Sequence, residues 1–214
     1  MNVRVEDDPA AVVAGMLRDS LGGHVVLTGG SSPKRAYELV ADADWGLTTV
    51  WFSDERKVPF DDERSNWLMA ENALFSRTAS RPDVHRMEDA DAYAEDLRGH
   101  LGELPRFDFV LLGLGPDSHV ASLFPGKPEV DVTDRWVVDV PEAGLDPFVP
   151  RISLTLPILN AAAKVVFLIT GENKADAVRR AFADADPDAP GARVRPESGE
   201  LTLVLDAAAA EGLK

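Results

Sequence analysis

Short apolar runs alternate with helix-like segments along this chain, and that alternation constrains the fold more than any other feature of the sequence. Apolar runs at residues 24–28, 107–112 and 164–170 have the length and branched composition of buried strands. Segments with helical periodicity, such as residues 9–21 and 172–183, lie between and beyond them. Because parallel strands need crossover helices, the pattern predicts an α/β fold, a mainly parallel sheet flanked by helices on both faces.

The composition bounds the kind of protein that this chain can be. At 214 residues it is long enough for one sizeable core, and we expect residues 1–214 to form a single domain. There is no cysteine, which excludes disulfides and thiolate chemistry. The formal net charge of −15 disfavours nucleic acid or an anionic membrane as the main partner, because both attract basic surfaces.

The sequence carries no signal-peptide pattern and no apolar run long enough to cross a bilayer. We therefore expect a cytoplasmic protein with a small-molecule ligand. The predicted assembly is a monomer or a weak homodimer.

A glycine-rich turn directly after the strand at residues 107–112 is the first candidate for chemistry. Residues 113–116, Gly-Leu-Gly-Pro, turn sharply and deliver Asp117 and His119. In an open α/β sheet ligands bind at the carboxyl ends of the strands, where this turn lies. A histidine beside a carboxylate suits a general base, although a lone histidine after a strand is more often an ordinary surface residue.

A second glycine turn, Thr-Gly-Gly-Ser-Ser-Pro at residues 28–33, joins a strand to a helix. Gly29 and Gly30 let the backbone approach a ligand, and the helix that follows from Ser31 offers free N–H groups to an anion. A plain glycine turn with a serine cap explains the same residues equally well. The spacing excludes a Walker phosphate loop.

Charged side chains follow other strand ends and could form a cationic pocket. Asp54 and Arg56 come directly after the strand at residues 48–52, Arg151 lies beside an extended segment, and Lys174 follows the strongest strand pattern. Arg56 could clamp a phosphate, and Asp54 could orient hydroxyl groups of a ligand or a catalytic side chain. Each cation alone is more often a surface residue; together they could supply the pocket that an anionic substrate needs in an acidic protein.

Two other classes of enzyme find no support in the sequence. The four histidines (His24, His85, His100 and His119) show no metal-ligand spacing. A Gly-x-Ser-x-Gly elbow, the mark of many serine hydrolases, is also missing.

Nearly the whole chain resembles the 6-phosphogluconolactonases. The similar segments follow one another in the same order as in that family, and they read LTGGSSPKRAYELV, WFSDERKVPFDDERSNWLMAEN, FDFVLLGLGPDSHVASLFPG, RISLTLPILNAAAKVVFLITGENKADAVRRAF and PESGELTLVLDAAAA. The related glucosamine-6-phosphate deaminases share the first glycine turn and the Asp-x-His pair, but a different sequence follows their histidine.

The resemblance implies a Rossmann-like fold and the hydrolysis of 6-phosphoglucono-1,5-lactone, without metal or organic cofactor. It implies that His119 is the general base and that Arg56 binds phosphate. It also implies that Gly29, Gly30 and Ser31 line the pocket. Arg151 and Lys174 match phosphate-binding positions of the related deaminases, while Asp117 and Asp54 are candidates for orienting the histidine ring.

Two positions depart from the family pattern. The family usually has glycine where this chain has Ser118, and a lysine that contacts phosphate near the place of Asp146. If residue 118 needs a positive φ, serine costs about 1 kcal/mol there. Two alternatives stay open. One is an amino-sugar-phosphate isomerase or deaminase, which the sequence after His119 disfavours; the other is a non-catalytic protein that binds a sugar phosphate, which Ser118 and Asp146 motivate.

Overall fold

The computed structural model describes residues 1–214, and its centre is a seven-stranded sheet in which every neighbouring pair is parallel. In chain order its strands are β1 (Asn2–Val5), β2 (His24–Leu27), β3 (Thr49–Phe52), β5 (Asp83–Val84), β6 (Phe109–Leu112), β9 (Lys164–Ile169) and β10 (Glu200–Leu205). Their spatial order is β1-β10-β9-β6-β2-β3-β5. From β2 the chain adds β3 and β5 on one side of the sheet. It then returns to the other side of β2 with β6, so the strand order reverses between β2 and β6.

Helices cover both faces of this sheet. They are α1 (Pro9–Arg18), α2 (Ser31–Val40), α3 (Asn66–Ala70), α4 (Ala90–Leu101), α5 (Leu156–Asn160), α6 (Ala175–Val178) and α7 (Ala207–Ala210). The third and sixth helices continue as wider π-helical turns, Glu71–Phe75 and Arg179–Ala183. None of the helices combines the length and the apolar character needed to cross a membrane.

Strand β6 shows why both faces must be covered. All four of its residues are buried, and successive side chains of a strand point to opposite faces. Phe109 and Leu111 pack into a cluster of 23 buried residues with the first three helices. Val110 and Leu112 pack into a cluster of 36 buried residues with the last four. The predicted α/β class, a mainly parallel sheet with helices on both faces, is confirmed.

A second, three-stranded antiparallel sheet is not predicted from the sequence. Its strands are β4 (Asp54–Arg56), β7 (Val137–Val140) and β8 (Arg151–Leu154), in the order β4-β8-β7. Strand β4 leaves the end of β3 after Ser53, whose backbone N–H still donates to Leu27. The small sheet therefore stands at the carboxyl edge of the large one, where it forms one wall of the cavity described below.

Polar side chains cap the starts of helices α1 and α3. Asp8 caps α1 by accepting a hydrogen bond from the Ala11 amide, and Ser65 caps α3 by accepting one from Leu68. The edge strand β1 is missed by the sequence analysis. It is short and all four of its residues are exposed, so it lacks the apolar run that marks a buried strand.

Candidate active site

A cavity of about 270 Å³ opens at the carboxyl ends of β2, β6 and β9, at the switch point of the sheet. Eight of the nine residues that the sequence singles out line it: Gly29, Gly30, Ser31, Asp54, Arg56, His119, Arg151 and Lys174. The ninth, Asp117, is hydrogen-bonded to His119. Residues from distant parts of the chain thus meet in one place.

His119 is held by Asp117. The Nδ1 atom of the ring lies 2.6 Å from Asp117 Oδ1, which also accepts a hydrogen bond of 3.1 Å from the His119 backbone N–H. Burial by itself would raise the pKa of Asp117, but its hydrogen bond and charge interaction with His119 outweigh burial and hold that pKa below its ordinary value. An ionised carboxylate at Nδ1 leaves Nε2 as the ring atom that can accept a proton.

The glycine turn makes this pairing possible. A Cβ atom on Gly115 would lie 2.0 Å from His119 Nδ1 and 2.6 Å from Asp117 Oδ1, so any side chain there would displace the pair. The Gly115 N–H donates to the His119 carbonyl, which closes the turn. Gly115 is therefore required by the close approach of two side chains.

Ser118 occupies a left-handed backbone conformation with φ of 73° and is fully buried. The turn needs this conformation, since the Ser118 N–H donates to Gly115 and its carbonyl accepts from Gly191. The side-chain hydroxyl finds only a long hydrogen bond of 3.4 Å to Ala177. The positive φ considered from the sequence is confirmed, and the chain places serine where glycine would be free of strain.

Two arginines occupy directly opposite positions on neighbouring strands of the small antiparallel sheet. Arg56 on β4 is the direct cross-strand partner of Arg151 on β8. Like charges in opposite positions repel. Burial and the charge of Arg56 lower the pKa of Arg151, while Asp54 and Asp146 oppose that change.

The guanidinium groups are only partly satisfied by the protein. Arg56 donates to the Arg64 carbonyl, and Arg151 donates to the carbonyls of Leu145 and Pro147 at 3.0 Å. The Nε atoms of both arginines are buried and have no hydrogen-bond partner. An anion bound here would accept hydrogen bonds from the unpartnered guanidinium donors and would neutralise the two positive charges.

Lys174 is a third cation that lines the cavity, at the end of the short turn Glu172–Lys174 that follows β9. Burial lowers the pKa of its ammonium group, and the charge of Asp117 partly offsets this change. The ammonium group therefore lies near both the histidine pair and the arginines' cavity.

Successive charged side chains of strand β4 point to opposite sides of the strand. Asp54 and Arg56 line the cavity, whereas Glu55 between them turns away and accepts hydrogen bonds from the Asn66 and Trp67 amides and from Ser65 Oγ at the start of α3. Burial raises the pKa of Glu55, and those amides act in the opposite direction. Glu55 thus anchors the helix instead of serving the cavity.

The Asp54 carboxylate is engaged by neutral side chains and does not contact His119. Its oxygens accept from Ser53 Oγ at 3.0 Å and Ser122 Oγ at 2.6 Å. The Asn66 amide donates to its carbonyl at 2.8 Å, and Ser122 lies 3.5 Å from an Arg151 guanidinium nitrogen. Asp54 therefore sits in a buried network that fixes one wall of the cavity.

Asn66 and Ser122 were not singled out as site residues by the sequence analysis. Asn66 is buried and packs so closely on Gly29 that a Cβ atom there would lie 2.1 Å from its side-chain oxygen. Ser122 is fully buried and joins Asp54 to β8 through Ser153. Polar residues of this kind give no signal in a single sequence, because their burial is decided by distant segments.

The first turn of α2 faces the same cavity. Gly30, with φ of 115°, precedes the helix, and no side chain caps the helix start. Gly29, Gly30, Ser31 and Ser32 all line the cavity, and Ser32 Oγ lies 2.5 Å from the Thr170 hydroxyl. The amides of this turn and the helix dipole favour an anionic ligand group.

Asp146 lies at the rim of the cavity, next to Leu145, and is exposed. Burial lowers the pKa of Arg151, and the charge of Asp146 partly opposes that change, which indicates that the two groups are near each other. No ion pair fixes its carboxylate. An acidic group therefore does border the cationic wall, as the sequence comparison with the family pattern suggests.

The family is shown by comparison with known proteins. A family model described as glucosamine-6-phosphate isomerases/6-phosphogluconolactonase matches residues 4–203. The 6-phosphogluconolactonase of Streptomyces coelicolor is 39% identical over 88% of this chain and 81% of its own length. That of Synechocystis is 36% identical over 90% of this chain and 85% of its own length.

Solved structures agree with the sequence relatives. The 6-phosphogluconolactonase of Leishmania guyanensis superposes with a TM-score of 0.87 at 28% identity, covering 100% of this chain and 98% of that one. A monomeric glucosamine-6-phosphate deaminase, at 18% identity and a TM-score of 0.83 with full coverage of both chains, shares the fold. This chain belongs to the glucosamine-6-phosphate isomerase and 6-phosphogluconolactonase family.

Proposed function

We propose that this protein hydrolyses 6-phospho-D-glucono-1,5-lactone to 6-phospho-D-gluconate, a step of the oxidative pentose phosphate pathway. The observation that carries the proposal is the joining of a carboxylate-paired histidine and three cations in one cavity. The relatives named 6-phosphogluconolactonase support the choice of substrate. The substrate has two parts, a phosphate and a lactone carbonyl, and the cavity offers separate groups for each.

The phosphate would bind between Arg56, Arg151 and Lys174. A phosphate dianion supplies acceptors for the spare guanidinium donors and removes the repulsion between the two opposed arginines. The ammonium group of Lys174, which lines the same cavity, would add a point charge. Binding energy from this end of the substrate positions the lactone carbonyl at the other end.

His119 would act as the general base. Its Nε2 atom takes a proton from water as the water oxygen bonds to C1 of the lactone, and Asp117 stabilises the resulting imidazolium. The tetrahedral intermediate then collapses with cleavage of the bond between C1 and the ring oxygen. The imidazolium returns its proton to that oxygen, which becomes the C5 hydroxyl of the open acid.

Negative charge develops on the former carbonyl oxygen during attack. The glycine turns after β2 and β6 line the cavity, and backbone N–H groups of these turns would stabilise that oxyanion. Asp54 would hold the cavity wall in place through its hydrogen bonds with Ser122 and Asn66, without taking part in proton transfer.

The deaminase alternative shares much of this cavity. Its ring-opening chemistry also needs a base near a bound sugar phosphate, and the fold is common to both activities. Relatives by sequence that are named 6-phosphogluconolactonase favour the lactone. The non-catalytic alternative is disfavoured by the intact His119–Asp117 pair, which a simple binding protein would not need.

The deciding experiment follows acid release from freshly prepared 6-phosphogluconolactone, beside unphosphorylated glucono-1,5-lactone and with the spontaneous rate subtracted. We expect rapid hydrolysis of the phosphorylated lactone and much slower hydrolysis of the other. Ammonia release from glucosamine 6-phosphate, measured in parallel, would instead establish the deaminase. Tight binding of 6-phosphogluconate without turnover of either substrate would establish the non-catalytic alternative.

A further inference from the structure

Three of the four histidines lie together away from the catalytic cavity. They are beside Trp51, on the face of the sheet that α4 covers. His85 follows β5 directly, His100 lies in the last turn of α4, and His24 begins β2. The His85 ring stacks on Trp51 with 4.0 Å between centroids and meets the His100 ring edge-on at 4.4 Å. Their sequence spacing shows no ligand pattern, but the fold brings them together.

Asp83, at the start of β5, completes a set of possible ligands. One ligand atom from each of Asp83, His85 and His100 lies within 4.8 Å of the other two. Asp83 Oδ2 and His85 Nε2 are 3.3 Å apart. Two ligands on one tetrahedral ion with bonds of about 2.0 Å are separated by roughly this distance. His100 and Asp83 are exposed, so an ion can reach them from solvent.

Asp96 orients both rings from behind. Its carboxylate is hydrogen-bonded to His85 Nδ1, and its backbone carbonyl lies 3.0 Å from His100 Nδ1. With both Nδ1 atoms engaged, the Nε2 atoms are the ones left to bind an ion, and that of His85 already lies beside Asp83. Metal-binding histidines in proteins characteristically use their second nitrogen in this way, toward a carboxylate or a backbone carbonyl.

The surroundings favour a cation. Asp83, Asp96 and Asp108 lie around the three histidines, and no lysine or arginine side chain is hydrogen-bonded or ion-paired to any of these six residues. Stacking on Trp51 and the contact with His100 hold the His85 ring in place before any ion arrives. The site is therefore largely formed by the fold itself.

We propose that Asp83, His85 and His100 bind a divalent transition-metal ion, with Zn²⁺ as the preferred occupant and water as the fourth ligand. Imidazole donors select Zn²⁺, Co²⁺ or Ni²⁺ over Mg²⁺ and Ca²⁺, which prefer oxygen ligands. The ion would tie β5 to the end of α4, far in the fold from the proposed catalytic cavity. The proposal does not depend on the lactonase activity.

The test is calorimetric titration of the full chain with Zn²⁺ after removal of metals with EDTA. We expect one Zn²⁺ per chain and no heat from Mg²⁺. Both His100→Gln and Asp83→Asn change exposed side chains and should weaken Zn²⁺ binding about 10-fold or more, and Asp96→Asn should do so about 10-fold to 100-fold. Co²⁺ in place of Zn²⁺ should give the visible absorption of a tetrahedral site in the parent and lose it in His100→Gln.

Two controls separate this site from others. Asp91→Asn, on the exposed first turn of α4, should leave Zn²⁺ affinity unchanged, and His119→Asn removes the only other histidine–aspartate pair. Loss of binding in His119→Asn with retention in His100→Gln would place the ion in the catalytic cavity and overturn the proposal. Equal affinity in the parent, His100→Gln and Asp83→Asn would also overturn it. Lactone hydrolysis in EDTA should be the same in His100→Gln as in the parent.

Discussion

The two places where this protein pairs histidine with aspartate differ in what surrounds the pair. In the cavity at the carboxyl edge of the sheet, His119 and Asp117 face Arg56, Arg151 and Lys174. In the cluster beside Trp51, the histidines are surrounded by carboxylates. The pairing itself is nearly the same, with Nδ1 toward a carboxylate oxygen in each.

The comparison shows that the neighbours of a histidine decide its chemistry. In our proposals, the cations around the first pair suit it to an anionic substrate, and Nε2 would accept a proton from water. The acids around the second suit it to a metal ion, and Nε2 would be a ligand. Four variants test this distinction, in order of decreasing effect.

The largest effect is expected for His119→Asn. Loss of the general base should lower kcat/KM for 6-phosphogluconolactone by about two to four orders of magnitude, with little change in Tm because the side chain is partly exposed. Steady-state kinetics beside a thermal melt measures both. His100→Asn is the matched control and should keep the parental rate. A folded His119→Asn protein that retains the parental rate would remove this residue from the mechanism.

Arg56→Ala should weaken recognition of the phosphate specifically. Loss of one charge-assisted contact costs about 2 kcal/mol, or roughly 30-fold in KM for the phosphorylated lactone, with little change for the unphosphorylated one. Arg64→Ala is the control, because Arg64 contacts Arg56 only through its backbone carbonyl and its side chain pairs with Asp62. An equal loss on both lactones would assign Arg56 to the fold or to the chemical step.

Ser118→Gly should stabilise the protein. Glycine relieves the strain of a positive φ, worth about 1 kcal/mol, which corresponds to a rise in Tm of about 2–4 °C for a chain of this size. This variant acts on the cavity turn alone, because the histidine cluster lies at the ends of regular helices and strands. Ser76→Gly, at a position with φ of −71°, should instead lower Tm slightly. A lower Tm in Ser118→Gly would show that the Ser118 hydroxyl contributes more than the strain costs.

The smallest effect is expected for Asp146→Lys. Replacing an exposed negative charge at the rim by a positive one should lower KM for the phosphorylated lactone by roughly 3-fold at low salt, and less at high salt. Glu142→Lys controls for the general change in charge, because Glu142 is an exposed residue of the same loop and pairs with Lys127. If both variants behave alike, Asp146 has no special place beside the phosphate.

Features that depend on neighbouring residues follow from the sequence. The apolar runs predict the buried strands. The Gly-x-Gly turn predicts the pair of Asp117 and His119, which lie only two residues apart. Short-range periodicity and turn chemistry encode such features directly. The parallel sheet with two helical layers follows from them, because buried strands need helices on both faces.

Contacts between distant segments were decided by the tertiary structure alone. Nothing local indicates that Arg56 would oppose Arg151, that Asn66 would close on Gly29, or that Ser122 would reach Asp54. The same holds for His85 and His100, whose spacing is uninformative until β5 and α4 pack against Trp51. Sheet order and register determine these meetings, and they depend on the packing of the whole core and not on the spacing within any one segment.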